Sequence, residues 1–201
     1  MPTRGSARST SRPPDRSVAL AARAIAAGHL VVYPTDTLFG IAASAHRAAA
    51  VARLTALKGR SAARPISVAV SSAEEIEPVA ELSRSARRFL RQHLPGPYTV
   101  LLRPSTAARR RLAPPLRPIR GTVGIRIPDH PIARELARRA GPITATSANR
   151  HGEPPAGSIA ECRRLFGERI AIYLDGGPAP SGRPSTLVDL TGPRPRVLPR
   201  R

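Results

Sequence analysis

Apolar residues recur along the chain in two rhythms, and the switches between them mark out alternating helices and strands. From Asp15 to Ala27, Val18, Leu20, Ala21, Ala24 and Ile25 fall at helical intervals with Gly28 as a stop, which predicts a first helix. The short apolar run Leu30 to Tyr33, ended by Pro34, reads as a strand feeding the loop Pro34-Thr35-Asp36-Thr37. The same reasoning predicts helices at His46–Leu57, Ser83–Leu94, His130–Ala140 and Ser158–Phe166. It predicts strands at Ile66–Val70, Tyr98–Leu102, Thr122–Ile127, Ile143–Thr146 and Ala171–Leu174, with short terminal strands at Ser185–Leu190 and Arg196–Leu198. Gly176 to Pro184 reads as a Gly/Pro loop. Arg103 to Arg120, with six arginines, several prolines and little periodicity, reads as a long basic loop that stays mobile until a ligand engages it.

At least six strands interleaved with about five helices make a single α/β domain, a twisted open mixed sheet flanked by helices. Connections near the C-terminus are too short for crossovers, so some closing strands must be antiparallel. The domain spans residues 15–201. Residues 1–14, rich in Arg, Ser and Pro, are expected to form a disordered basic tail.

Charge changes the picture more than length does. Lys and Arg number 33 against 13 Asp and Glu, a net +20 that draws nucleotides, RNA and other polyanions toward the surface. Arg-, Ala- and Pro-rich composition bias supplies part of that excess, so charge alone names no partner. Aromatics at 3 % with no Trp leave an aliphatic, Ala-rich core. The single cysteine, Cys162, has no internal partner, and no Cys/His spacing resembles a zinc site; a reducing, cytoplasmic setting fits best. No run of about 18 apolar residues exists to cross a membrane.

Familiar catalytic motifs are missing. There is no P-loop, no strand-linked GxGxxG and no GxSxG elbow. Asp129-His130 reads as a pair of turn residues capping the helix that begins near Pro131. Lys58, however, is the only lysine among the 33 cationic residues. An ammonium is a compact point charge and a guanidinium a planar fork, so one lysine kept among arginines suggests a specific anion; it is equally the cation that a helix C-terminus attracts. Two strand ends gather small polar groups: Thr35, Asp36 and Thr37 after one, Thr146, Ser147 and Asn149 after another. In open α/β sheets the ligand crevice lies at such ends. Arg126 sits inside the apolar run Val123–Ile127, where its charge requires a partner, either a carboxylate ligand or a structural Asp or Glu.

Taken in order, Val31–Gly40, Leu57-Lys58-Gly59-Arg60, Pro95–Thr99, Val123–Pro131, Thr146–Asn149 and Pro184–Asp189 resemble the YrdC/Sua5 family of threonylcarbamoyl-AMP synthases, over roughly residues 17–200. The resemblance implies a twisted α/β sheet around a positively charged concave face. It also implies an enzyme that makes L-threonylcarbamoyladenylate from L-threonine, bicarbonate and ATP with Mg2+, releasing pyrophosphate, for the t6A modification of tRNA through a downstream transferase. Carried over residue by residue, Lys58 and Arg60 fall on the ATP phosphates as the catalytic cations, with Thr122, Ser147 and Asn149 also on the nucleotide. Thr37, Arg126 and Ser185, with Thr35 beside them, fall on threonine. Departures are Arg64, Ala69 and Ala145, where the family often has Asn, His and Ser. The closing Leu198-Pro199-Arg200-Arg201 lets Arg200 replace a phosphate-binding Arg only with a shift in register. The chain also stops without the extra C-terminal domain of Sua5-type members, so it reads as the short form.

Threonine and serine differ by one methyl, worth about 1–3 kcal/mol, so the resemblance implies modest leakage to serine. Two rival readings remain. One is a relative that adenylates another carbamate or carbamoyl donor, like the similar domain of hydrogenase-maturation carbamoyltransferases. The other is a basic RNA-binding module, whose affinity would fall steeply with salt. Clustered aromatics for base stacking are absent, so contact with RNA is expected to be nonspecific.

Overall fold

The computed structural model describes residues 15–59, 66–113, 116, 121–177 and 181–199. Among them run α1 (Asp15–Ala26), β1 (Val31–Tyr33), β2 (Gly40–Ala42), α2 (Ala48–Leu57), β3 (Ser67–Ala69), β4 (Ala80–Glu81), α3 (Arg84–His93), β5 (Tyr98–Pro104), α4 (Thr106–Arg111), β6 (Val123–Arg126), α5 (Pro131–Ala140), β7 (Ile143–Ser147), α6 (Ile159–Phe166), a 3-10 turn at Gly167–Arg169, β8 (Ile172–Tyr173), β9 (Thr186–Asp189) and β10 (Arg196–Leu198). The strands form one mixed sheet in the order β10-β9-β5-β6-β3-β7-β2-β1-β8, with β4 paired to β5 off that path. β9 and β10 are antiparallel, as their short connection requires, while β5–β9, β3–β6 and β1–β8 are parallel.

Strand alternation assigns the two faces of the sheet to different tasks. Val32, Ile41, Val68, Val100, Leu102, Val123, Ile125 and Val188 point to one side, where they join Val51 and Leu54 of α2, Ala86 and Leu90 of α3, and Cys162 and Phe166 of α6 in the larger core. On the opposite side Val31, Tyr33, Ala42, Ala69 and Ile143 pack under α1 and α5. Those helices contribute Val18, Ala21, Ala22 and Ile25, and Ile132, Ala133, Leu136 and Ala137, each set spaced to make one apolar stripe. The rest of this second face, over β3, β5, β6 and β7, carries Ser67, Thr99, Gly124, Arg126 and Ser147 and lies open. The site begins where the helices stop.

Local chemistry fixes the helix starts. Ser83, Ser105 and Ser158 each accept a hydrogen bond from the backbone N–H three residues on, at the N-termini of α3, α4 and α6, worth about 1 kcal/mol apiece. Gly28, at φ 94°, turns the chain out of α1 in a conformation other residues resist.

Several expectations are corrected. The segment from Arg103 is not a structureless loop: β5 continues to Pro104, Ser105 caps α4, and Leu112, Ala113 and Leu116 are buried, with the Ala113 N–H donating to Ala45 O at 2.9 Å. Arginine-rich composition concealed a cap followed by small and apolar residues that dock on the main core. β2 and β4, too short to show a period, and α4 were not expected, so the described residues hold ten strands and six α-helices where the sequence named eight and five. The second helix starts at Ala48, not His46. At α5, Pro131 occupies the first turn and His130 the cap position, but the His130 side chain makes no capping bond. The expected N-terminal tail lies outside the described residues.

Candidate functional site

A cavity of about 160 Å³ opens on the uncovered part of the second face. Its walls come from segments far apart in sequence: Tyr33 and the following Thr35–Phe39 loop, Gly40 of β2, Ser67 of β3, Thr99 of β5, Arg126 of β6, Ala145–Ser147 of β7, and Pro184-Ser185 ahead of β9. Register explains the gathering. Gly40 lies opposite Ser147, Ser67 opposite Ala145, Ala69 beside Arg126, and Tyr98 beside Thr186. Two glycines keep the floor low: a Cβ on Gly124 would stand 2.5 Å from Ser67 Oγ, and one on Gly40 2.8 Å from the Tyr33 ring.

Arg126 anchors one side. It is 8 % exposed, and its Nη2 donates to Asp36 Oδ1 and to Thr37 Oγ1, both at 2.6 Å. The partner its buried charge demanded is thus Asp36, within the chain, and the pair leaves Arg126 Nε and Asp36 Oδ2 buried without hydrogen bonds. Thr35 shapes the loop: its hydroxyl donates to Leu38 O at 2.6 Å and accepts from the N–H groups of Thr37 and Leu38. Across the cavity Thr99 and Ser185 share a hydrogen bond of 2.7 Å. Tyr33 donates to Thr144 O, and burial pushes its phenol up to about 12, so it stays a donor and is no base near neutral pH.

Lys58 lies at the C-cap of α2, yet its ammonium leaves that helix end. Nζ donates to Ser147 O at 2.5 Å, Asn149 O at 2.8 Å and Asn149 Oδ1 at 3.1 Å, and its own carbonyl accepts from the His151 N–H. Ser147 Oγ donates to Asn149 Oδ1 at 2.6 Å. The lone lysine therefore closes the turn after β7, and Ser147 belongs both to that turn and to the cavity wall.

The structure brings Thr35, Thr37, Arg126, Ser147 and Ser185 around one cavity and sets Lys58 and Asn149 beside it through Ser147. Thr122 is half-buried just before β6, at the other end of that strand from Arg126, and does not line the cavity. Arg60, Arg64 and Arg200 lie outside the described residues. Sequence reasoning missed Thr99 and Ser67, polar residues in strand runs whose companions are apolar, and gave Asp36 no partner. A buried polar position inside a strand was the available signal.

In the cavity wall the titratable side chains are Arg126 and Tyr33, a fixed cation and a neutral phenol, among hydroxyls. Such a wall can orient a small anionic, hydroxyl-bearing molecule but offers no nucleophile with an activating base. Among the described residues no three His, Cys, Asp or Glu side chains cluster as a metal site, and no helix is long and apolar enough to cross a membrane.

A family model named for Sua5, YciO and YrdC and described as telomere recombination matches residues 23–201. A putative threonylcarbamoyl-AMP synthase of Mycobacterium tuberculosis (strain ATCC 25618 / H37Rv) is 41 % identical over 184 residues, covering 91 % of this chain and 83 % of the relative. The threonylcarbamoyl-AMP synthase of Chromohalobacter salexigens is 39 % identical over 175 residues, covering 86 % and 92 %. Among solved structures, that of P. abyssi Sua5 complexed with L-threonine superposes with a TM-score of 0.85 at 34 % identity; the match covers 94 % of this chain and 55 % of that one.

Proposed function

The chain belongs to the Sua5/YciO/YrdC family, and from that premise we propose that it forms L-threonylcarbamoyladenylate from L-threonine, bicarbonate and ATP, working in the cytoplasm and passing the product to a downstream transferase for t6A on tRNA. The observation that carries the reading is the Arg126 cavity. At about 160 Å³ it is smaller than the pockets that enclose drug-sized ligands and suits an amino acid, not a whole nucleotide.

Arg126, steadied by Asp36, offers its remaining N–H groups to the substrate carboxylate. Thr37 and the Thr99–Ser185 pair offer hydroxyls to its polar atoms, and Thr35, its own hydroxyl spent within the loop, holds Thr37 in place. The nucleotide lies over the mouth, against Ser147 and Asn149, with Lys58 beside them; Arg60, Arg200 and Thr122 are nucleotide contacts only by the family resemblance. Mg2+, supplied with ATP, would offset negative charge on the phosphates.

Chemistry then follows from charge. The threonine amine loses a proton and its nitrogen bonds to the carbon of bicarbonate, with loss of water, giving an N-carboxylate. One carboxylate oxygen attacks the α-phosphorus while the bond to the β-phosphate oxygen breaks and pyrophosphate leaves. Two anions meet in that step, so the contribution of the chain is to hold them in line and to place cations where negative charge accumulates. With Tyr33 held at about 12, the proton from the amine goes to solvent or to a substrate oxygen, not to the cavity wall. Exposed arginines such as Arg84, Arg87, Arg88 and Arg91 on α3 supply nonspecific attraction for RNA, which weakens with salt.

The test is to incubate the protein with ATP, Mg2+, carbon-labelled bicarbonate and each amino acid in turn, and to look for a labelled adenylate by mass spectrometry. Threonine should give the strongest product and serine a minor one. No labelled adenylate with threonine would overturn the proposal.

A further inference from the structure

We infer that His130 is a positioning residue that holds Asp36 so that Asp36 can hold Arg126; the inference rests on the threonine-binding reading of the Arg126 cavity. Four buried side-chain polar atoms among the described residues lack what such atoms nearly always have, Arg126 Nε and Arg134 Nε among them, and the other two complement each other. Asp36 Oδ2 and His130 Nδ1 are both buried, and neither has a hydrogen-bond partner. One is an acceptor and the other, in the right tautomer, a donor.

Their surroundings bring them together. His130 stands at the cap position of α5, but its ring ignores the helix it precedes. It turns instead to the strand exit that leads into the Thr35–Thr37 loop. A Cβ placed on Gly176 would lie 3.3 Å from His130 Cε1 and 2.8 Å from Pro34 Cγ, so the ring and the start of that loop close on the same glycine. Glycine at 176 is what admits this approach.

The charged groups around the ring decide its state. Burial, the largest influence, disfavours the imidazolium; Asp36 from the loop and Asp129 beside the ring favour it, and Arg134, one turn along α5, opposes it. The net effect lowers the His130 pKa from its ordinary 6.5. Asp175, the residue before Gly176, is occupied within its own turn, accepting from the Gly177 N–H. Near neutral pH the ring is therefore uncharged, with one N–H to give. The two atoms are not bonded to each other in the structure, so that N–H satisfies Asp36 Oδ2 through one bridging water or a small turn of the ring, without adding a second cation to compete with Arg126. Asp36 is then held at both oxygens, its carboxylate plane is fixed, and the Arg126 fork keeps its aim into the cavity. An imidazolium formed at lower pH would draw Asp36 toward itself and repel Arg126.

The experiment uses the full chain as wild type, His130→Ala and His130→Asn, in which the asparagine amide takes the place of Nδ1–H. KM for threonine and for ATP are measured separately from adenylate formation across pH 5 to 8, alongside thermal unfolding, and the His130 ring is titrated by NMR in wild type and Asp36→Asn. His130→Ala should raise the threonine KM roughly ten-fold and leave the ATP KM unchanged, with His130→Asn recovering most of the loss. The acid limb of the wild-type threonine kcat/KM should vanish in His130→Asn. Asp36→Asn should move the ring titration to lower pH. An unchanged threonine KM in His130→Ala, equal impairment of both His130 variants, or a ring titration indifferent to Asp36→Asn would overturn the inference. If wild type makes no adenylate from threonine, the functional reading fails instead, and the NMR titration still decides whether His130 engages Asp36.

Discussion

Arg126 and Lys58 are both buried cations beside the same cavity, yet they are held in opposite ways. Arg126 projects from the middle of the sheet and meets a carboxylate, Asp36, across 90 residues of sequence. Lys58 ends a helix and meets the carbonyls of Ser147 and Asn149, the atoms that define a turn. A guanidinium carried by a central strand and met by a carboxylate on the short loop between β1 and β2 is an orienting device, because its own backbone is fixed by the sheet and its head by that loop. An ammonium gripped by a turn shapes the loop around it. The amino-acid side of the site is therefore centred on a strand residue and the short loop that meets it, whereas the Lys58 side is centred on the turn after β7. Substitutions should separate the two.

Arg126→Ala should give the largest effect, because it removes the carboxylate grip and strands Asp36 as a buried charge. Breaking a buried pair from one side costs about 3–5 kcal/mol. Denaturant unfolding should show that loss, and the threonine KM should rise by two orders of magnitude or more. Adding Asp36→Asn to Arg126→Ala should return much of the stability and none of the threonine binding. If the double variant recovered threonine affinity as well, the pair would be structural only.

Lys58→Ala comes next. Hydrogen bonds to a charged group are worth about 1.5–3 kcal/mol, so ATP affinity should fall by roughly ten- to a hundred-fold, read by calorimetry, while threonine affinity changes little. Lys58→Arg should not restore it, since a planar fork cannot occupy the point between two carbonyls. Equal losses of ATP and threonine binding would erase the contrast between the two cations.

How much of this was legible in the sequence follows the same division. The central strands were readable because Val68, Val100, Val123 and Ile125 keep period two, and the open face was foreshadowed by the small and polar residues between them. Arg126 announced that it required a partner, but which carboxylate answers depends on a loop and a strand folding together, information that no local pattern holds. Lys58 was undecided between helix-end cation and ligand, and it turns out to sit at the helix end while serving a distant turn. β2 escaped because three residues cannot show a period, and α4 because its arginines outweighed Ser105 and Ala108 in any reading of composition.

Gly40→Ala probes the sheet side without touching a charge. Its Cβ would fall 2.8 Å from the Tyr33 ring, which is buried and tied to Thr144 O, so the ring must move and the cavity floor with it. Overpacking of this kind costs about 1–3 kcal/mol. The unfolding midpoint should drop and the threonine KM should rise several-fold, with ATP binding preserved. An unchanged unfolding midpoint would mean that the floor is softer than its packing indicates.

The smallest expected effect is a pH dependence of stability from His130. Burial holds its folded pKa below the ordinary 6.5, so as pH falls through that value the unfolded chain takes up a proton before the folded one does. Stability contributed by the neutral ring is complete above pH 6.5, declines below it, and stops declining once the pH passes under the folded pKa. Because the ring is only half-buried, solvent screens much of the difference and the slope is shallow. Urea unfolding of wild type and His130→Asn at pH 7.5 and pH 5 isolates it: the wild type should lose more stability between the two than the variant. Equal losses would mean that the imidazole is solvated enough to ignore the sheet, and the rigid side of the site would then end at Asp36.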